Sequence, residues 1–155
     1  MIATGGKSRF ESVRNGIASI EELADEDLVA VHDGVRPLVS VELIERCYQT
    51  AQQHGSAIPV VPPSDSIRQV IDDGTSHQLL RSSLRAVQTP QTFLAKLLKG
   101  AYDVKESPLF TDDASVVEAA GHPITLVDGE PTNLKITHPV DLVVATELIK
   151  DGAAC

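Results

Sequence analysis

The stretch LVAVHDGVRP, residues 28–37, sets a short apolar run directly against an aspartate, a glycine and an arginine. Residues 28–32 fit a buried strand, and leaving such a strand takes only a turn. Asp33 and Arg36 exceed what a turn needs. In open parallel sheets the ligand crevice lies outside the carboxyl ends of the strands, so the two charges sit where a ligand is expected. Gly34 between them lets backbone approach that ligand closely.

Upstream, Ser8 and Glu11 form an S-x-x-E capping box directly after Gly5-Gly6, and Val13, Ile17, Ile20 and Ala24 follow on one helical face. Downstream, Ser40 caps a helix through Ile44, Cys47 and Ala51 that stops at Gly55. AIPVV (57–61) is apolar on both faces, as a strand covered on both sides by helices must be. Residues 64–84 read as a hairpin turning at Asp72-Asp73-Gly74. RAVQTPQTF then leads into a helix with Phe93, Leu97, Leu98 and Ala101, and Thr111 caps another that ends at Gly121. ITLVDG and NLKI read as strands, and Pro139 opens a last helix through Leu142, Ala145 and Ile149. Helices alternating with short apolar strands predict a single three-layer α/β domain over 1–155 with a mostly parallel sheet, the alternation interrupted by the hairpin.

Composition narrows the function. Of 155 residues 42% are hydrophobic, enough for one core, but only 3% are aromatic, which leaves few stacking platforms for single-stranded nucleic acid. A net charge of −9 also opposes a polyanion, whereas local Arg and Lys with backbone amides can still hold a small phosphate. No apolar run reaches the roughly 20 residues of a membrane span. Cys47 and Cys155 suggest no disulfide framework, and the expectation is a soluble cytoplasmic protein with no nucleic-acid or membrane partner.

Other strand ends carry groups like those of the opening stretch. Lys135 and Thr137 end NLKI, and Gly5-Gly6 precede a helix N-terminus. Asp33 suits Mg2+ or a sugar hydroxyl, while Arg36 and Lys135 suit phosphate. Each also has a plainer reading, since Asp-Gly is a common turn and Thr111-Asp112-Asp113 a common helix start. The five histidines show no metal-ligand spacing, and no G-x-S-x-G turn supports a hydrolase triad. The residues alone thus describe an α/β protein for a small phosphorylated ligand.

GGKSRFESVRNG (5–16), VHDGVRP (31–37), QTPQTF (88–93), FTDDASVVEAAG (110–121) and NLKITHPVDL (133–142), in that order, carry a resemblance. The chain resembles the 2-C-methyl-D-erythritol 4-phosphate cytidylyltransferases of the non-mevalonate isoprenoid pathway, from about Gly5 to Ile149. The resemblance implies a Rossmann-like nucleotidyltransferase fold and a homodimer joined by a projecting β-arm, the hairpin of about 64–84, with CTP and a sugar-alcohol phosphate as substrates. It implies nucleotide contacts at Gly6, Lys7, Ser12 and Thr89, and places Asp33 with Mg2+ between CTP and acceptor. Arg36, Thr111 and Lys135 are implied around the acceptor phosphate. Ser66, where the family more often has Thr, and Arg81 are implied to reach the partner's site. Arg81 and Lys135 are the implied catalytic pair, orienting an in-line attack of the acceptor phosphate on the α-phosphorus of CTP.

The family also begins with a strand and a G-x-G-x-R loop that wraps the triphosphate. No such segment precedes Met1, so the expectation is a member lacking its N-terminal nucleotide-binding segment and inactive alone. A ribitol-5-phosphate cytidylyltransferase, which shares the NLKIT-like segment, and a non-catalytic dimerising fragment are the alternatives.

Overall fold

The computed structural model describes residues 2–150 and 152; Met1 and Cys155 lie outside the described residues. Ser8 caps helix α1 (Arg9–Ala18) by accepting from the Glu11 amide. The helix stops short of the expected Ala24. Gly16 weakens it, Ser19 Oγ bonds back to the Gly16 carbonyl at 2.7 Å, and the Asp27 carboxylate takes the Ala24 amide at 2.8 Å, holding residues 20–27 as loop. Strand β1 (Leu28–Val31) follows. Helix α2 (Val41–His54) is capped by Ser40 and released at Gly55, whose φ of 86° is left-handed.

Strand β2 (Ser56–Val61) is almost wholly buried, as an apolar strand between helical layers must be. The hairpin is β3 (Arg68–Val70) with β4 (Ser76–Gln78), turning through Gly74 at φ 82°. A single 3-10 turn at Arg81–Ser83 leads to β5 (Ala86–Val87) and β6 (Gln91–Leu94). Phe93 therefore belongs to a strand, and helix α3 (Ala95–Tyr102) begins after it. Helix α4 (Asp113–Ala119) is capped by Asp112, not Thr111, because Asp112 and Ser115 close a reciprocal capping box. Strand β7 (Leu126–Asp128) and helix α5 (Pro139–Lys150) complete the order. NLKI forms no strand; its backbone is used by side chains described below.

The sheet runs β1-β6-β2-β5, with β7 also on β2. β1 and β2 are each antiparallel to β6, so they point the same way, and β7 is parallel to β2. β1, β2 and β7 share one direction, as expected of a mostly parallel sheet, while β6 and β5 run against them.

On one face α2 buries Leu43, Cys47 and Ala51 against Ala57. Burial pushes the Cys47 thiol up to about 11, which suits a core residue and not a nucleophile. On the other face α1, α3 and α4 bury Phe10, Leu98, Tyr102 and Val117 over Ile58 and Phe93, giving three layers. Phe10 stacks between Tyr102 and Phe110, with ring centroids 4.8 and 5.7 Å away. Among the described residues no helix is long and apolar enough to cross a membrane.

Leu43 is 0% exposed and Val143 on α5 is 63% exposed. Leu43→Ala is expected to cost about 2–5 kcal/mol in urea unfolding through lost burial and a residual cavity. Val143→Ala is expected to change stability by no more than about 0.5 kcal/mol. Equal effects would show that the α2 layer is not the anchored face.

Candidate active site

The turn after β1 closes with the Arg36 amide on the Asp33 carbonyl at 2.9 Å, which sends the Arg36 side chain inward. The residue is 9% exposed. Its guanidinium donates to the carbonyls of Asn133 at 2.8 Å and Val87 at 3.4 Å, while Nε lies 3.5 Å from the Asp33 carboxylate. A buried cation needs such acceptors, and here backbone provides most of them. Asn133, fully buried, donates from its side chain to the Thr89 carbonyl at 2.8 Å. Gln88 adds bonds to the Glu130 and Asn133 carbonyls and accepts the Glu130 amide. The Ile136 amide reaches the Val35 carbonyl at 2.8 Å. Residues 133–136 therefore lie along the β1 turn as a strap held mainly by side chains.

This strap walls a cleft of about 260 Å³ at the carboxyl end of β1. Lys135 Nζ lies 3.0 Å from the Asp33 carboxylate. Burial works to raise the Asp33 pKa, but the Lys135 hydrogen bond and charge, then the charges of Arg9 and Arg36, outweigh it and hold the carboxyl below its ordinary value. Across the cleft Arg9 makes a two-pronged pair with Asp113, at 2.9 and 2.5 Å, and the Tyr102 hydroxyl donates to the same carboxylate at 2.6 Å. Burial alone would lower the Arg9 pKa, yet the Asp113 hydrogen bond and charge raise it, so Arg9 faces the cleft as a fixed cation. Burial, with Asp113 beside it, pushes the Tyr102 phenol well above its usual range, so it stays a donor. Gln91 bridges from β6 to α4, donating to Asp112 at 2.9 Å and accepting the Ala114 amide at 2.9 Å.

Asp33, Arg36, Thr89, Thr111 and Lys135, singled out from the sequence, all line this cleft. Gly6, Lys7 and Ser12 do not line it but gather at the N-terminal end of α1, where the Gly6 amide meets Ser12 Oγ at 2.9 Å and the Lys7 amide meets Glu11 at 2.7 Å. A Cβ on Gly6 would collide with Glu11 Cβ, so glycine is required there. Ser66 and Arg81 lie outside the cleft; Arg81, on the exposed 3-10 turn, donates to the Ser64 carbonyl at 2.8 Å. Sequence reasoning missed Arg9, Gln91, Asp112 and Asn133. Only Arg9 carried a local signal, as a cation in the first turn of a helix that follows Gly5-Gly6. No group of three or more His, Cys, Asp or Glu able to hold a metal alone occurs among the described residues. Asp33 is the carboxylate through which a metal shared with a phosphate ligand could be held.

An ionised carboxylate beside fixed cations suits a polyanionic ligand, and comparison with known proteins points the same way. Residues 1–151 match the family model described as 2-C-methyl-D-erythritol 4-phosphate cytidylyltransferase. The chain is 48% identical over 149 residues to the protein of that name from Bacteroides thetaiotaomicron, covering 96% of this chain and 66% of that protein. It is 44% identical to the one from Porphyromonas gingivalis, again covering 96% of this chain and 65% of the relative. The crystal structure of the protein of that name from Thermus thermophilus superposes with a TM-score of 0.80 at 38% identity, covering 94% of this chain and 71% of that one. The chain thus spans about two thirds of the length of the curated relatives it matches.

Removing the Asp33 charge leaves Arg36 facing carbonyls alone. Asp33→Asn is expected to lower stability at neutral pH by about 1–2 kcal/mol. Because the folded-state pKa is depressed, that contribution is present above the ordinary value of 3.8 and is lost as pH falls below it. Unfolding of parent and variant followed from about pH 7 to about pH 2.5 should show the two curves converging below about pH 4. A constant gap would mean that the ion pairs contribute nothing.

Proposed function

The chain belongs to the 2-C-methyl-D-erythritol 4-phosphate cytidylyltransferase family, and from that premise we propose that its cleft is where CTP and methylerythritol phosphate meet. The reaction joins an acceptor phosphate oxygen to the α-phosphorus of CTP, breaks the bond to the β-phosphate and releases pyrophosphate. The observation that carries this reading is the cleft itself, in which Lys135 and a buried Arg36 flank Asp33 at the end of a strand. An ionised phosphate needs little help from a base, so the work falls to positioning and charge. Lys135 and Thr111 are proposed to hold the acceptor phosphate, with Arg36 fixing the wall against which it rests. Gly6, Lys7, Ser12 and Thr89 are proposed to face the nucleotide, the glycine allowing close backbone approach.

Asp33 also fits Mg2+. It is an ionised carboxylate at the cleft, and Mg2+ is typically bound through one or two carboxylates together with substrate phosphates. When bound, the ion would shield the repulsion between the two anionic substrates. A cytoplasmic location suits a CTP-dependent activity and the buried, unpaired Cys47.

The hairpin supports a homodimer. All residues of β3 and β4 are exposed, and Val70 and Leu80 are 72% and 71% exposed, which a small hairpin does not sustain in water without a partner. In an isologous pair each arm would bring Ser66 and Arg81 to the other subunit's cleft, completing the site with the second catalytic cation.

Lys135→Ala in the full-length protein is expected to reduce pyrophosphate release from CTP and methylerythritol phosphate by at least about a hundredfold. Ribitol 5-phosphate is expected to be a poor acceptor; equal turnover of both sugar phosphates would overturn the acceptor assignment. Mixing an Arg81→Ala homodimer with a Lys135→Ala homodimer should restore activity, since one site of each heterodimer carries neither change. No recovery with heterodimers confirmed by mass would rule out sites shared between chains.

A further inference from the structure

For a neutral His32 the surrounding hydrogen bonds admit one arrangement. Nε2 lies 3.0 Å from the Arg36 carbonyl, which can only accept, so Nε2 carries the proton. In the neutral ring Nδ1 is then an acceptor, and its partner at 3.0 Å is Thr89 Oγ1, whose hydroxyl must donate. Thr89 Oγ1 in turn accepts the Asp33 amide at 3.0 Å. The chain runs from Asp33 N–H to Thr89 to His32 to the Arg36 carbonyl, with every donor and acceptor used once. Ala30, Val39, Ile44, Tyr48 and Pro90 border the small mainly apolar cavity of about 200 Å³ on which His32 also opens.

We infer that His32 is a positioning residue for the transfer reaction, a role that rests on the reading of the cleft given above. It touches no reacting atom. Its ring spans the β1 turn, fixing the Arg36 carbonyl at one end and, through the single Thr89 proton, the Asp33 amide at the other. Those bonds set the angle at which the Asp33 carboxylate meets Lys135 and at which Arg36 enters the wall. His32 is thus the internal strut of the turn, and Thr89 is oriented by it.

Two measurements test this. Proton–nitrogen correlation spectra of histidine-labelled protein, assigned by the loss of one ring in His32→Gln, should show His32 with Nε2 protonated and Nδ1 bare. The opposite tautomer would overturn the hydrogen-bond chain whatever the enzyme does. In the full-length protein, His32→Gln puts its amide nitrogen near the place of Nε2 for the Arg36 carbonyl but leaves no acceptor where Nδ1 meets Thr89, and Thr89→Val removes the other partner. His32→Gln should lower kcat by about ten- to a hundredfold with KM for CTP little changed, and in a Thr89→Val background it should cost nothing further. His32→Asn, whose side-chain oxygen falls near the place of Nδ1 but which has no donor in reach of the Arg36 carbonyl, should be impaired as His32→Gln is. Additive losses, or a His32→Gln protein that melts and turns over like the parent, would refute the strut. A parent protein without turnover would instead refute the reading of the cleft, leaving the tautomer to decide the hydrogen-bond chain.

Discussion

A guanidinium taken out of water must be met by acceptors, and much of this molecule is arranged to meet Arg36. Its two backbone acceptors come from residues 51 and 97 positions further along the chain. Neither carbonyl is spare. The one at Val87 leaves the last residue of the strand after the arm, and the one at Asn133 fixes the strap that carries Lys135. Three regions remote in sequence therefore share one cation, and displacing any of them strands a buried charge. Lysine is no equivalent, since its compact ammonium lacks the fork whose separate nitrogens reach the two carbonyls.

The charge balance of the cleft follows from the same constraint. The chain as a whole carries −9, yet Arg9, Arg36 and Lys135 converge on one spot. Each is tethered by an acid or by backbone before any ligand arrives, Arg9 by Asp113 and Lys135 by Asp33. Tethered cations repel one another less and lose less freedom on binding, so a cleft built from them is pre-organised for a polyanion. Tyr102 extends this outward, because the residue that stacks on Phe10 in the core also donates to the carboxylate that steadies Arg9. Core packing and cleft geometry are thereby one structure.

What could be read from the sequence divides along a physical line. Helices α2 and α5 were legible because Ser40, Gly55 and Pro139 are local signals that act through their own backbone. Asp33, Arg36 and Lys135 were legible because their positions after apolar runs point to a sheet edge. β6 was not. Gln91 and Thr92 look like surface residues, and only long-range bonds to Asp112 and Ala114 make burial of Gln91 possible. NLKI looked like a strand because its apolar residues alternate, but the Asn133 carbonyl serves Arg36 and Gln88 instead of a ladder. The cap of α4 slipped by one residue for a related reason, since Thr111 and Asp112 are both good caps and the Ser115 hydroxyl decided between them. Asn133, the fully buried amide of the strap, opens one of the quoted motifs but carries no local signal of its burial.

The place of β6 has a consequence for how the molecule is made. A ribosome releases β1 and β2 well before the strand that joins them, and neither pairs with the other directly. Until residues 91–94 emerge, two apolar strands wait with open edges, and the sheet cannot form by local pairing in the order of synthesis. The intervening arm is the segment that postpones closure. Such a nascent chain is exposed to aggregation for the time it takes to make the arm, and holdase chaperones would find it most readily in that interval.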